Sequence, residues 1–454
     1  MEERVRKLND APVRPDANYV LYWSQMNRRA EYNQALYYAI RIGNSLKLPV
    51  LFYEGLTCTY PYASDRLHTF ILEGVTQTAA ALRRRGIGYR FYLRRTRTDP
   101  DDAVYRLAAD AAALVTDDYP TFVAAAHNAR VPAKLDVPYY AVDASCVVPM
   151  NLLDKREYAA RTIRPKIHKL LPRYLAPYMG AKPVRRWTGQ VEWPRERVPE
   201  LVSSCQVDHS VKPSLEFRGG AAEARRRLNE FLTHRLRRYA KERNEPALHA
   251  TSNLSPYLHF GHISALEVAL AVRDHAAAHQ TDADAFLEEL IVRRELAFNF
   301  CRHVARPDSL ESLPEWIRMN LRAHAKDRRE HVYTREQFET AATADALWNA
   351  TQTELLLRGK IHGYYRMYWG KKIVEWSRSY EDALDTMIYL HDRYALDGRD
   401  PNTYTNILWC FGLHDRPWAE RPILGKIRYM SFDGMRRKTD VDAYIREIRE
   451  LELQ

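Results

Sequence analysis

The run NYVLYW, residues 18–23, is the first of five short β-rich segments that decide the fold of the N-terminal part of this chain. The other four are PVLFYE (49–54), GYRFYL (88–93), AALVTD (112–117) and PYYAVD (138–143). Helical patterns separate these runs, and such alternation predicts βαβ units whose parallel sheet is covered by helices on both faces. We therefore expect an α/β domain with a Rossmann-like parallel sheet over residues 1–175.

The glycine pattern of this region argues against the common nucleotide-binding loops. No GxGxxG follows the first β-rich run, and no GxxxxGK(S/T) occurs anywhere in the 454 residues. Gly86-Ile87-Gly88 is a weak glycine-rich hint and is most simply a helix stop before a strand. A standard dinucleotide or P-loop site is therefore not supported.

A proline-rich stretch separates the α/β region from a helical one. Periodicity fades over residues 176–220, and Gly219-Gly220 comes directly before a strong helical pattern. From Ala221 onward the chain is mostly helical by period, with stop signals near Gly261, Pro307, Gly359 and Gly398. We expect an interdomain connector over residues 176–220 and an all-helical domain over residues 221–454.

Basic residues outnumber acidic ones and occur in clusters. The chain has 69 Lys and Arg against 58 Asp and Glu, which gives a formal charge of +11. The clusters are Arg83–Arg85, Arg225–Arg227, Arg235 with Arg237-Arg238, and Arg436–Lys438. A polyanionic partner would explain them, because Lys and Arg that neutralise phosphates release counterions. For any single cluster, a solvated helix face is the alternative.

The cysteines and the N-terminus bear on location. Five cysteines lie far apart, with no CxxC and no Cys/His spacing suited to zinc: Cys58, Cys146, Cys205, Cys301 and Cys410. We expect no metal site and a reduced, intracellular environment. The start, MEERVRKLNDAPVRPD, lacks the apolar segment of a signal peptide, and no apolar run is long enough to cross a membrane. These features predict a cytoplasmic protein without a membrane partner.

Tryptophans stand out in the stretch LWNATQTELLLRGKIHGYYRMYWGKKIVEW, residues 347–376. Trp369 and Trp376 are seven residues apart, so on a helix they share one face about 10 Å from each other. That spacing suits an electron passed between indole rings, but it is more often typical of a buried helix face. Taken alone, the pair favours a packed core.

Several motifs taken together carry a resemblance to a known family. TSNLSPYLHFGHIS (251–264), RMYWGKKIVEW (366–376), LDGRDPN (396–402) and GKIRYMS (425–431) resemble the class II cyclobutane pyrimidine dimer photolyases of the photolyase/cryptochrome family. YWSQMNRRAEYNQAL (22–36) and EYAARTIRPKIHKLLPRYL (157–175) are similar to the N-terminal domain and domain junction of that class. The resemblance covers nearly the whole chain.

The resemblance implies a helical domain that binds FAD and an enzyme of DNA repair. Such an enzyme splits cyclobutane pyrimidine dimers by electron transfer from reduced FAD (FADH−) that blue light has excited. Its partner is UV-damaged DNA, and we expect a monomer that needs no metal. The N-terminal domain of this family can hold an antenna chromophore, whose identity the sequence does not reveal.

The resemblance also implies a cofactor site. The segment expected to hold the FAD diphosphate has small polar side chains ahead of a helix and comprises Thr251, Ser252, Asn253, Leu254 and Ser255. A plain helix N-cap is the alternative. Arg366 and Asp397 match the ion pair beside the flavin ring, where a guanidinium favours a negatively charged reduced flavin. An interhelical salt bridge is the alternative, and Tyr239, Gly363 and His391 complete the expected site.

Residues for repair follow from the same resemblance. Glu289 matches a glutamate that hydrogen-bonds the dimer carbonyl, and a surface helix carboxylate is the alternative. Trp369 would lie nearest the flavin, Trp348 in the middle and Trp376 towards solvent, as a path that reduces oxidised FAD in light. The residues expected to contact the lesion or its DNA strand are Arg243, Asn244, Arg293, Met367, Trp409 and Arg428.

This chain departs from the class at several positions. His391 stands where the class usually has asparagine near flavin N5, and Phe298 stands where it usually has aspartate. Thr403 and Asn406 replace usual glycines. A histidine at 391 can titrate near neutral pH and change how readily the flavin accepts a proton, and Cβ atoms added close to a cofactor can narrow its pocket.

Two alternatives to a repair enzyme stay open. A cryptochrome-type blue-light receptor would keep FAD and the tryptophans without repairing DNA. A flavin-free nucleic-acid-binding module would explain the charge but not the Arg366, Asp397 and tryptophan motifs. Glu289 and Trp409 favour repair, since their expected roles concern the dimer.

Overall fold

A sheet with strand order β1-β6-β5-β2-β3-β4 forms the N-terminal part of the computed structural model, which describes residues 1–178, 180–276 and 279–453. The strands are β1 (Val5–Lys7), β2 (Tyr19–Ser24), β3 (Val50–Thr57), β4 (Gly88–Arg94), β5 (Ala111–Asp117) and β6 (Tyr139–Val142). The pairs β2–β3, β2–β5, β3–β4 and β5–β6 are parallel. The parallel sheet predicted from the five β-rich runs is confirmed.

Burial explains why these runs form strands. Every residue of β2 and of β5 is buried, as expected for inner strands of a sheet with helices on both faces. The covering helices are α1 (Gln34–Leu46), α2 (Asp65–Arg84), α3 (Ala103–Ala109) and α4 (Phe122–Arg130). Strand β1 pairs antiparallel with β6 at the sheet edge, and the sequence did not indicate it because it has only three residues.

The chain that joins the sheet to the helical part contains helices and isolated β-bridges. Helix α5 (Ala160–Tyr174) follows β6, and the later stretch contains α6 (Val198–Ser203). Isolated β-bridges join Arg90 to Glu192 and Ser64 to Asp208. The limits 1–175, 176–220 and 221–454 stay a prediction, whereas the order of an α/β part followed by a helical part is confirmed.

The C-terminal part is mostly helical, with irregular segments between its helices. Its helices are α7 (Ala221–Glu230), α8 (Tyr239–Glu242), α9 (Ser255–His259), α10 (Ala265–His275), α11 (Gln280–Leu287), α12 (Arg294–His303), α13 (Glu315–His324), α14 (Arg335–Glu339), α15 (Ala346–Arg358), α16 (Gly363–Trp376), α17 (Tyr380–Tyr394), α18 (Pro401–Cys410), α19 (Phe432–Arg436) and α20 (Val441–Glu452). Wider π-type turns lead into α8 and α12 at Phe231–Arg235 and Glu288–Arg293. None of the described helices is long and apolar enough to cross a membrane.

Buried polar contacts tie the two parts together. Arg66, in the first turn of α2, donates to the carbonyls of Leu355 (3.1 Å) and Tyr394 (2.8 Å) in the helical part. Glu295 of α12 accepts from the backbone N–H of Val147 at 2.6 Å. In each contact, a side chain of one part forms a hydrogen bond with a backbone group of the other part. These bonds hold the helical part against the sheet domain.

Candidate functional site

The segment Thr251–Ser255 leads into the short helix α9. Asn253 has φ 55°, in the left-handed region, which turns the chain sharply just before the helix. The N-cap position is Leu254, and no side chain caps the helix within its described surroundings. The hydroxyl of Ser255 instead donates to Asp397 Oδ2 at 2.6 Å. The segment is therefore bound to the predicted ion pair, and its polar groups are not consumed by capping.

Arg366 and Asp397 form the ion pair expected from the sequence. Arg366 Nη2 of α16 lies 3.0 and 3.1 Å from the two carboxylate oxygens of Asp397, which follows α17. Burial acts to raise the pKa of Asp397, but Arg366 and Lys360 more than offset it and hold that pKa below its ordinary value. Arg366 Nε is buried and has no hydrogen-bond partner among the described residues. The pair thus keeps one donor for another group.

His391 lies next to this pair and against Trp369. Its ring meets the Trp369 ring edge-on, with centroids 5.0 Å apart, and Nδ1 lies 3.1 Å from the Met387 carbonyl. Burial, followed by the positive charge of Arg366, lowers the pKa of His391 to about 3. The expectation that His391 titrates near neutral pH is wrong, because a buried imidazole beside a guanidinium stays neutral.

Three tryptophan rings form a continuous series. Trp348 of α15 stacks on Trp369 with ring centroids 6.2 Å apart and planes 4° from parallel. Trp376 meets Trp348 edge-on at 6.4 Å. Trp348 Nε1 donates to the Trp369 carbonyl, and Trp369 Nε1 donates to Gln352 Oε1 at 2.9 Å. Trp348 therefore lies between the two tryptophans that the sequence placed on one helix face.

A small cleft of about 40 Å³ opens beside the Thr251–Ser255 segment. Its wall includes Thr251, Asn253, Lys360 and His362. Burial lowers the pKa of Lys360, and His362 Nε2 has no partner among the described residues. A Cβ added to Gly363, the first residue of α16, would meet no described atom within 4 Å. The same wall also holds Glu216, Glu354 and Arg358, so groups of both charges line the cleft.

The Tyr239 helix joins this segment to Glu289. Arg235 Nη1 donates to the Thr251 carbonyl at 3.3 Å, one turn before Tyr239. Arg243 lies over the Tyr239 ring and pairs with Glu289 at 3.0 Å. Glu289 and Arg243 are partly exposed, with side-chain exposures of 44% and 29%. The residue predicted for catalysis and a residue predicted for the lesion strand are thus in contact at an accessible position.

The other residues predicted to contact the DNA strand near Glu289 differ in whether they form ion pairs. Asn244 is exposed, whereas Arg293 is exposed but pairs with Glu288 at 3.3 Å. Glu288 also accepts hydrogen bonds from both Nε and Nη2 of Arg164 on α5. Glu288 is therefore part of a contact between helices, which separates it from its neighbour Glu289.

Trp409 starts an alternating series of indole and guanidinium groups. Arg428 lies 5.8 Å from the Trp409 ring and 5.3 Å from the Trp418 ring, and Arg416 lies 4.2 Å from Trp418. Each contact is a cation–π interaction with a positive group near solvent. The sequence reasoning missed Trp418 and Arg416, although aromatic and basic residues interleaved in Arg416-Pro417-Trp418 are a signal for nucleic-acid contact.

Lys371 is a third residue that sequence reasoning missed. Its Nζ lies 4.6 Å from the Trp409 ring and donates to the Cys410 carbonyl at 2.8 Å. Burial lowers its pKa to about 8. Met367, one turn earlier on α16 and next to Arg366, is partly buried. Helix α16 thus carries residues of the ion pair and of the Trp409 surface side by side.

The departures from the class fall at different places. Phe298 is fully buried and packs edge-on against Tyr119 of the sheet domain at 5.4 Å, so it lies in the contact between the two parts. Thr403 donates to the Asp397 carbonyl at 2.8 Å, and Asn406 is exposed. The hydroxyl at position 403 therefore adds support to the loop of the ion pair.

Metal-binding groups are not assembled near these residues. The five cysteines are buried and free. Within residues 1–178, 180–276 and 279–453, no group of three or more His, Cys, Asp and Glu side chains is placed to hold a metal ion.

Comparisons with known proteins agree on one family. The DNA photolyase family model matches residues 20–185. A deoxyribodipyrimidine photo-lyase of Methanothermobacter thermautotrophicus is 40% identical, covering 99% of this chain and 98% of that protein. One of Arabidopsis thaliana is 38% identical, covering 97% and 90%. The solved structure of a Synechocystis cryptochrome is similar in fold, with a TM-score of 0.71, 16% identity, and coverage of 94% of this chain and 88% of that one.

Proposed function

The chain belongs to the photolyase family and is an enzyme of the deoxyribodipyrimidine photo-lyase type, and from this premise we propose that it is a class II photolyase that repairs cyclobutane pyrimidine dimers in DNA. Relatives with that printed name match nearly its full length, which supports light-driven DNA repair. The class and the dimer specificity rest on the motifs at 251–264, 366–376, 396–402 and 425–431.

One observation carries the proposal. Ser255, Asp397 and Arg366 form a bonded series, and His391 beside them contacts Trp369, the first of three tryptophans in contact. A plain interhelical salt bridge would not need a hydroxyl from the Thr251–Ser255 segment, nor a free buried donor on Arg366. The arrangement suits a site that both holds an anionic cofactor and exchanges electrons with it.

Bound here, reduced FAD excited by blue light would supply the electron that opens the dimer. Thr251, Ser252, Asn253, Leu254 and Ser255, with Tyr239, would hold its diphosphate, since hydroxyl and backbone N–H groups bind phosphate oxygens. Arg366 would favour negative charge in the site. Asp397 accepts hydrogen bonds from that guanidinium and orients it, which makes Asp397 a positioning residue.

The neutral His391 provides a fixed acceptor beside the ion pair. Its Nδ1 can bond the Met387 carbonyl only as a donor, so Nε2 keeps its lone pair. Gly363 leaves open space at the start of α16. The site therefore offers a positive donor on Arg366 and a neutral acceptor on His391.

On the substrate side, we propose that Glu289 hydrogen-bonds the dimer and that Arg243 orients Glu289. Trp409, Met367 and Arg428 would form the wall on which the extruded dimer stacks. Taking a damaged pair out of the duplex costs a few kcal/mol, and less than for an intact pair because it is already poorly stacked. Asn244 and Arg293 are exposed and would contact the DNA strand.

The three tryptophans would return the site to its reduced state before repair. An electron would pass from Trp376 to Trp348 and then to Trp369, because each ring contacts the next. Trp376 is the most exposed of the three at 7%, which suits the outer end of the series. An antenna chromophore in the sheet domain, a monomeric state and a cytoplasmic location stay predictions.

A repair assay tests the proposal. Purified protein reconstituted with FAD and reduced in light should remove dimers from UV-irradiated DNA, and a matched sample kept dark should not. Protein that binds no FAD would contradict the cofactor site. Protein that binds FAD and is photoreduced, but repairs no dimers under reducing conditions, would instead support a blue-light receptor that uses the same residues.

A further inference from the structure

The four arginine-rich clusters of the sequence differ in how their charges are used. Arg225, Arg226 and Arg227 all pair with glutamates. The cluster at residues 235–238 pairs through its first and last arginines, and the cluster at 436–438 through its first. In contrast, Arg83, Arg84 and Arg85 form no ion pair with any carboxylate of the described residues. Arg85 lies over the Tyr37 ring, whereas the charges of the exposed Arg83 and Arg84 are left to solvent or to a partner.

Further cations from two other segments join this cluster. Asn44 Nδ2 donates to the Lys182 carbonyl at 2.9 Å, which places the end of α1 against the 182–187 segment. Arg186 Nη2 donates to the Arg84 carbonyl at 3.4 Å, and Trp187 N–H donates to the Gly86 carbonyl at 2.8 Å. The resulting surface, which we term the α2-end patch, consists of Lys47, Arg83, Arg84, Lys182, Arg185 and Arg186, all exposed.

Helix electrostatics explain only part of the α2-end patch. Positive side chains in the last turn of a helix interact favourably with its dipole, by about 0.3–1 kcal/mol, and this accounts for Arg83 and Arg84. Arg186 shares that reason, because it donates to the Arg84 carbonyl at the end of α2, but Lys182 and Arg185 come from an irregular segment and make no such contact. Like charges held within a Debye length of about 10 Å repel one another. A fold that gathers them without carboxylates leaves a surface that a polyanion would stabilise.

From this arrangement we propose that the α2-end patch is a second DNA-binding surface, which contacts the phosphate backbone of undamaged duplex outside the repair site. Four of its six cations are arginines, whose planar guanidinium matches phosphate in two hydrogen bonds. Val184 is its large exposed apolar side chain, which gives little for insertion into a membrane. Phosphate contacts of this kind bind any sequence and need no lesion.

The position of the patch makes it separate from the repair site. Arg66, at the first turn of α2, bonds to the helical part, whereas Arg84 ends the same helix. At a rise of 1.5 Å per residue, the two lie about 27 Å apart. The patch therefore lies on the sheet domain, at the opposite end of α2 from the Arg66 contact with the helical part.

The test uses undamaged duplex DNA and the full-length protein, with binding followed by fluorescence anisotropy at several salt concentrations. Each phosphate neutralised contributes about 0.9 to the slope of log affinity against log salt. We expect Arg83→Gln/Arg84→Gln and Arg185→Gln/Arg186→Gln each to reduce that slope by about 1.8. Arg130→Gln/Lys134→Gln, which removes two exposed charges from another edge of the same domain, should leave it unchanged.

Further variants and ligands show whether charge and DNA are what matter. Arg83→Lys/Arg84→Lys keeps the charge and should keep most of the slope. The patch variants should repair a short damaged duplex as well as the wild type does, which also shows that they fold. If the wild type itself showed no repair, the proposed function would be contradicted, but the binding test would remain valid. An unchanged slope in both patch variants would overturn the proposal. The proposal would also be overturned if the patch variants lost binding to polyglutamate or to anionic vesicles while their affinity for DNA stayed unchanged.

Discussion

Replacement of Glu289 by alanine gives the sharpest test of the substrate side of the site. Glu289 and Glu288 are adjacent on the π-type turn before α12, but they face different partners. Glu289 pairs with Arg243 beside Tyr239, whereas Glu288 pairs with Arg164 of α5. We expect Glu289→Ala to impair repair, and Glu288→Ala to leave it near the wild-type rate.

The structure sets the size of both effects. Both carboxylates are in partly exposed ion pairs, so either substitution should lower the free energy of unfolding by no more than about 1 kcal/mol. A hydrogen bond to a group that carries charge is worth about 1.5–3 kcal/mol. If Glu289 makes such a bond to the dimer as it accepts the electron, its loss should slow dimer splitting by about 10- to 150-fold.

The assay should isolate that step from cofactor reduction. Both variants would be reduced chemically in advance and mixed in excess with a defined dimer-containing oligonucleotide, and dimer loss would be followed per light dose. Binding of the oligonucleotide in the dark serves as the control for folding and affinity. Equal repair rates in the two variants, whether both normal or both slow, would refute the assignment of Glu289 to the substrate.

Three further outcomes are expected. Trp369→Phe should block light-driven reduction of oxidised FAD, seen as loss of bleaching of the yellow protein, while chemically reduced enzyme keeps repairing; loss of both activities would contradict the assigned role. Asp397→Asn leaves Arg366 buried without its carboxylate and should lower the free energy of unfolding by about 3–5 kcal/mol and weaken FAD retention; an unchanged urea midpoint would contradict this. Burial and the nearby Asp143 raise the pKa of Glu295 to about 8, so its contribution to stability is full below about pH 4.5 and is lost as pH rises through about 8. Thermal melts should show this fall in the free energy of unfolding in the wild type, at most about 5 kcal/mol at 1.36 kcal/mol per pH unit, and should not show it in Glu295→Gln. The same dependence of stability on pH in both proteins would refute the prediction.

Hydrophobic runs of inner strands made the sheet predictable. NYVLYW and AALVTD became β2 and β5, whose complete burial is what such runs reflect. The edge strand β1 could not be found this way, because Val5–Lys7 is short, partly exposed and defined only by its pairing with β6. Strand order likewise depends on long-range contacts that periodicity does not contain.

The site was predictable where local sequence sets the chemistry. Arg366 and Asp397 could be matched from their motifs, but the bond from Ser255 to Asp397 joins residues 142 positions apart and depends on the fold. His391 shows the opposite case. Its reference pKa lies near neutral, whereas burial beside Arg366 removes its charge, and neither burial nor that neighbour can be read from residue type.

Core packing and the proposed electron path are compatible roles for the same tryptophan rings. Trp348 and Trp369 are fully buried in the core of the helical part, and that packing holds their ring planes 4° from parallel. Trp369 and Trp376 share a helix face, but the ring that joins them comes from α15, which helical spacing along α16 could not indicate. Since a packed core keeps rings at fixed separations, burial of these rings would give the proposed electron path a reproducible geometry.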